Sequence, residues 1–192
     1  MDDLYRGINA AFQKGQQVEQ YQVVEVLAPT RFGHTYLGRH MHQPLQVLIE
    51  GLLPPLSGES TEAFLKSAQA LKHLAHSHIL RVRDRGMYQD YPFIITDYFP
   101  YRVFNQVYLS KHPHPLITVL PHLKKIASAL DYAHSQSVVH GDIRPENILL
   151  SSNALPALRG FLLEAIVQNR GCLNYRGTEV VEREAMIYAA PE

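Results

Sequence analysis

The feature that most restricts the fold of this chain is a change of hydrophobic period after the stretch "DYFPY" (97–101). Before it, the chain reads as short strands: "YQVVEVL" (21–27), which alternates, then "TYLGRH" (35–40), "LQVLIEGLL" (45–53), "ILRVRDRGMY" (79–88) and "PFIITDYF" (92–99). A period of two puts successive side chains on opposite faces of a strand, and turn-rich links such as "GRHMHQP" separate the runs. One segment among them, "STEAFLKSAQALKHLAH" (60–76), repeats Phe64, Ala68, Leu71 and Ala75 at helical spacing, and Ser60 or Thr61 can cap it. After the change, "PLITVLPHLKKIASALDYAHSQ" (115–136) reads as one long helix with Leu120, Leu123, Ala127, Leu130 and Ala133 on one face. Pro121 falls in its first turns, where a missing N–H is tolerated. Residues 1–20, with Leu4, Ile8 and Phe12 at helical spacing, predict a short helical lead-in.

Composition narrows the class. With 46% hydrophobic residues in 192, the chain can bury a real core. A formal net charge of zero gives no electrostatic footprint for nucleic acid. The single cysteine, Cys172, excludes an internal disulfide frame and suits a reducing compartment; it reads as a free thiol. The N-terminus has no basic start followed by a long apolar run, and no stretch reaches the roughly 18 apolar residues of a membrane helix. The expectation is a cytoplasmic segment. The eleven histidines form pairs such as His40/His42 and His76/His78 without a fixed second set, so a surface or structural role is preferred over a metal site.

The chemistry concentrates in "VVHGDIRPENILL" (138–150). Asp142 and Asn147 stand five apart between two apolar runs, with Pro145 between them. Around it lie "RFGHTYLGRH", "LKHLAHSHILRV", "IITDYFP" and a terminal "YAAPE". In this order, these motifs resemble those of the protein kinase family, especially bacterial serine/threonine kinases, from Tyr21 to Glu192. The resemblance implies an α+β, protein kinase-like fold. A five-stranded antiparallel N-lobe sheet with one helix would occupy residues 21–97. A partial, mainly helical C-lobe would occupy 98–192, and residues 1–20 would be an N-terminal extension. "IITDYFP" resembles the hinge, which places Thr96, Asp97 and Tyr98 at a nucleotide site together with Leu149.

The resemblance also assigns roles residue by residue. Asp142 stands where the family's base accepts the substrate hydroxyl proton. Arg144 replaces a lysine that contacts the transferred phosphate, and Asn147 stands where the family holds a metal ion. Further departures lie elsewhere. The glycine-rich loop falls on Ala28, Thr30 and Gly33, and only Gly33 is kept. The phosphate-holding lysine falls on Glu50, with Arg31, Lys66 and Arg144 as candidate partners. A unit pair near 4 Å is worth about 4 kcal/mol at an effective dielectric of 20, so this reversal matters. Leu48 replaces a small alanine that makes room for adenine. The helix glutamate falls on Ser67, and the metal-binding aspartate, 18 residues after Asp142, falls on Gly160, followed by Phe161. Glu164 is a distant substitute. The Gly-Thr pair before "APE" falls on Glu184 and Ala185.

These departures predict a pseudokinase, a binding or regulatory module with protein partners, with no nucleic acid and no membrane segment in this chain. Two readings compete with it. One is an active serine/threonine protein kinase, which requires ATP and magnesium. The other is a small-molecule phosphotransferase, which also carries "HGD" followed by Asn. The chain stops at Glu192, where the family continues with further helices, so the resemblance implies a truncated second lobe and a possible origin in a longer protein.

Overall fold

The computed structural model describes residues 11–30, 33–52, 58–108 and 114–161. The strands are β1 (Gln17–Val18), β2 (Tyr21–Thr30), β3 (Gly33–His40), β4 (Gln46–Leu52), β5 (Val82–Tyr88) and β6 (Tyr91–Asp97). They form one antiparallel sheet in the order β1-β2-β3-β4-β6-β5. The sequence predicts five of these strands; β1 is the added sixth, too short to show alternation.

The sheet's two faces do different work. Thr35, Leu37, Leu48, Glu50, Ile94 and Thr96 are register partners or two residues apart, so they share the face toward the second lobe. On the opposite face Tyr36, Val47, Ile49, Phe93 and Ile95 pack with Phe12, Val18, Tyr21 and Val23. Residues 11–20 are therefore not a helix. They make turns and β1, and they bury Phe12 completely. Gly15 takes a positive φ of 85° in that turn. The remainder of the expected lead-in lies outside the described residues.

Helix α1 (Glu59–Leu71) packs Phe64, Ala68 and Leu71 into the larger core, as the spacing predicts. It ends five residues before the expected boundary, so Ala75 is exposed and Leu74 takes its place in the core. Gly58 is the N-cap, and no side chain caps it. Ser60 and Thr61 are already inside the helix.

The second lobe begins with β7 (Tyr101–Val103) and the short α2 (Phe104–Tyr108), followed by α3 (Leu116–Ser135). Then come a 3-10 turn (Pro145–Asn147), β8 (Ile148–Ser151) and β9 (Pro156–Leu158). Helix α3 is its longest element, in keeping with the mainly helical lobe that the resemblance implies, and β7, β8 and β9 add a three-stranded sheet. Ile126, Ala129 and Ala133 are the buried residues of α3, while Leu120 and Leu123 are 37% and 42% exposed. The expected face is thus rotated partly away from the core, with Ala133 and the partly buried Leu130 in common. Pro121 is the sixth residue of the helix, so the Ile117 carbonyl, on an exposed residue, has no N–H to accept.

Between the lobes, Leu80 N–H donates to the Leu158 carbonyl and Leu158 N–H to the His78 carbonyl, both at 2.8 Å. His78 N–H donates to His76 Nδ1, and the His76 ring stacks on Tyr132 at 5.4 Å. Those histidines are structural. Among the described residues, no helix is long and apolar enough to cross a membrane.

Candidate functional site

The 3-10 turn begins at Pro145, whose fixed φ suits the first position and whose missing N–H is no loss there. It brings Asn147 back to Asp142. Asn147 Nδ2 donates to the Asp142 carbonyl at 2.8 Å and to Asp142 Oδ2 at 2.9 Å. Arg144 Nε donates to Asp142 Oδ1 at 2.6 Å, with both side chains buried. Each oxygen of the Asp142 carboxylate therefore already holds a donor from its own loop. Arg144 pairs with Asp142, not Glu50.

His140, just before this loop, is almost fully buried. Its Nδ1 accepts from Asp142 N–H at 3.1 Å, which leaves the proton on Nε2 to be donated to the Arg159 carbonyl at 2.9 Å. Burial brings its pKa down to about 4, against the pull of the Arg159 carbonyl and Asp142. The Phe161 ring packs on it at 4.4 Å.

Glu50 lies on β4 opposite Thr35 and Ile94. Its partner is Arg159, at 3.7 Å between Oε1 and Nη1, with side chains 10% and 13% exposed. Lys66, a sequence-level candidate, is exposed, and Arg31 lies outside the described residues. Burial pushes the Glu50 carboxyl up, and Arg159 pulls it back down. The Arg159 backbone is pinned at both ends, since its N–H donates to the Asn147 carbonyl at 2.9 Å and its carbonyl accepts from His140. The side chain then reaches up to the sheet lobe. The sequence reading missed Arg159, although its position next to Gly160 was a usable signal. A cation directly before a lost aspartate complements an anion at a lost lysine.

Gly160 has φ +84°, and a Cβ there would meet Asn147 Cγ, Nδ2 and Oδ1 at 3.2 Å. This donor set does not match a magnesium–phosphate site. Asn147 Nδ2 is engaged on Asp142, so Oδ1 is what Asn147 could offer a cation; no carboxylate stands at 160, and the cation Arg159 directly precedes it. Among the described residues, no cluster of three or more His, Cys, Asp or Glu could hold a metal.

The residues that the resemblance assigns to adenine are buried. Leu48 and Leu149 are fully buried in one cluster with Leu80, against which Tyr98, Phe99, Tyr101 and Val103 pack. Tyr101, a second residue the sequence reading missed, is partly buried; burial pushes its phenol up, and both Arg159 and Glu50 act on it electrostatically. The cavity beside Glu50, Thr96, Arg159 and Phe161 is about 20 Å³. That is room for one water; the cavity runs back under α1 to Leu71 and Leu74, and neither Leu48 nor Leu149 lines it. Asp97 is not part of this group. It faces the other side of the sheet in register with Val47, where it accepts a hydrogen bond from Arg83. Gly33 lies in a ladder that pairs Ala28 with Thr35, Pro29 with His34 and Thr30 with Gly33. A Cβ on Gly33 would fall 2.0 Å from the Gly51 carbonyl oxygen, so close backbone approach explains this glycine without a phosphate. Glu164, Cys172, Glu184, Ala185 and the "APE" motif lie outside the described residues.

A twisted sheet with one packed helix, joined by a single link to a lobe whose Asp142–Asn147 loop faces the cleft, is a protein kinase-like fold. The sequence matches the family described as protein tyrosine and serine/threonine kinase over residues 21–192. The chain belongs to that family. It is 30% identical over 157 residues to the serine/threonine-protein kinase PknF of Mycobacterium tuberculosis, covering 79% of this chain and 33% of that protein. It is 30% identical over 148 residues to PknI of the same organism, covering 75% of this chain and 25% of that protein. The crystal structure of the M. tuberculosis PknI kinase domain superposes with a TM-score of 0.71, over 79% of this chain and 63% of that one. The chain thus spans a third or less of these curated relatives.

Proposed function

We infer that this chain is a pseudokinase module, a kinase fold that holds no magnesium-nucleotide and acts in the cytoplasm through contacts with protein partners. The observation that carries this reading is the Glu50–Arg159 pair, because it puts an anion where the family needs a cation and fills that anion's field from within. The engaged carboxylate of Asp142 and the absence of a side chain at Gly160 support it. The relatives are named as serine/threonine kinases, and that activity would require ATP and magnesium at these same positions.

The test is a thermal melt with and without millimolar Mg-ATP. A ligand at 100 times its Kd stabilises by about 2.7 kcal/mol, several degrees for a domain this size. The expected result is no shift. A shift that disappears in Asn147→Ala, or phosphate release that depends on Asp142, would establish the active-kinase reading instead.

A further inference from the structure

We propose that Leu48, Glu50 and Arg159 form a built-in clamp that joins the two lobes in place of a nucleotide, so that the closed arrangement is the resting state of this chain. This rests on the reading of the cleft as nucleotide-free.

Two lobes joined by one link move relative to one another by default, unless an extensive interface holds them. A ligand bound in the cleft is a common way to close such a hinge. Here the link is the short stretch from Asp97 to Tyr101, between β6 and β7. The lobes already share the Leu80, Leu158 and His78 backbone bonds and the core under α1; two further contacts cross at the cleft itself. The first is apolar: Leu48 of β4 and Leu149 of β8 come from different lobes and share one buried cluster with Leu80. The second is ionic: Glu50 of β4 meets Arg159, which follows β9. Asn147 and His140 hold the Arg159 backbone N–H and carbonyl, which fixes the point from which the side chain reaches Glu50. Behind the pair the cavity is about 20 Å³, room for one water. The function that follows is constitutive display: the surfaces formed by the closed lobes are presented whatever the nucleotide level.

Stability alone is a poor test. Exchanging a buried ion pair for neutral groups is often nearly free, whereas removing one partner leaves a buried charge. The distance between lobes is the direct readout. Spin labels at Gln43, in the exposed β3–β4 turn, and Asp131, on the exposed side of α3, report it by pulsed electron resonance in a Cys172→Ser background. The parent should give one narrow distance distribution, unchanged by Mg-ATP. Glu50→Gln, which keeps shape, and Leu48→Ala, a second variant outside the ion pair, should each lose it to a broad one. The exchanged pair Glu50→Arg with Arg159→Glu should recover the narrow form. A distribution that stays narrow in both single variants overturns the clamp while leaving the pseudokinase reading intact. A parent that narrows only with Mg-ATP overturns both. An exchanged pair that stays broad overturns the ionic half of the clamp.

Discussion

The imidazole of His140 accepts a backbone N–H on one nitrogen and donates to a carbonyl from the other, so only the neutral ring satisfies both partners. Its pKa falls from 6.5 to about 4 on folding. A depressed pKa gives stability that is complete above 6.5 and is lost as pH falls toward 4, because the unfolded chain takes up a proton that the folded one refuses. The size is roughly 3 kcal/mol. Urea midpoints of the parent should therefore drop between pH 7 and 4.5, and His140→Gln should flatten much of that drop. Some slope will remain, since burial also lowers His34, His76 and His122. Glu50 works with the opposite sign, its raised carboxyl giving stability at low pH that is lost as pH rises through the raised value. An unchanged acid slope in His140→Gln would contradict the buried neutral ring. Gly160 gives a second residue-level outcome. Restoring the family's aspartate there puts a side chain at φ +84° and into Asn147. Gly160→Asp and Gly160→Ala should each cost about 1–3 kcal/mol, read from the same midpoints. An aspartate that stabilised the fold would argue for a latent metal site.

At the scale of elements, the strands were legible because their patterns record which faces are covered: β2 alternates in its first half, while β4 and β6, buried on both faces, show as short apolar runs between turn residues. Helix α1 was legible for the same reason, since Phe64, Ala68 and Leu71 form a single stripe. The orientation of α3 was not, because its first half is apolar nearly all round: Leu116, Ile117, Val119, Leu120 and Leu123 offer two competing stripes. The structure selects Ile126, Ala129 and Ala133, where small residues let the helix approach its neighbours closely. The three-residue strands β7 and β9 were illegible because pairs such as Tyr101–Ser151 are set by tertiary packing, not by a local period. The candidate site divides in the same way. Motif spacing located Asp142, Asn147, Glu50 and Gly160, but the partner of Glu50 lies 109 residues on, at Arg159, and only folding brings the two together. The choice of face in α3 is open to test. Ala129→Leu and Ala133→Leu should each cost about 1–3 kcal/mol by overpacking, whereas Leu123→Lys should stay within about 0.5 kcal/mol, as surface changes do. Equal costs at Leu123 and Ala129 would mean that the helix packs by its other side.

Taken as a whole, the molecule has cores on both faces of its main sheet. The larger one lies under α1 and continues into the second lobe; the other is closed by the segment that precedes β2. Phe12 seals that second core. It is fully buried, with its ring 5.2 Å from Tyr36, 5.8 Å from Tyr88 and 6.3 Å from Phe93. Its backbone N–H donates to the Tyr36 hydroxyl at 3.2 Å. The sheet makes room for the ring through Gly51, where a Cβ would fall 2.6 Å from Phe12 Cε2. A segment that the resemblance treats as an extension ahead of the kinase match is thus part of the lobe that positions Glu50, one residue before Gly51 on the same strand. Phe12→Ala should cost about 3–5 kcal/mol, a large share of the 5–15 kcal/mol typical of a folded domain. Gly51→Ala pushes on the same ring from beneath, so it should also destabilise. The double variant should cost less than the sum, because once the ring is gone the added methyl has nothing to displace. Urea denaturation of the parent, both single variants and the double variant measures this cycle. Additive costs, or a Phe12→Ala cost below about 1 kcal/mol, would show that the segment lies on the lobe without being part of its core.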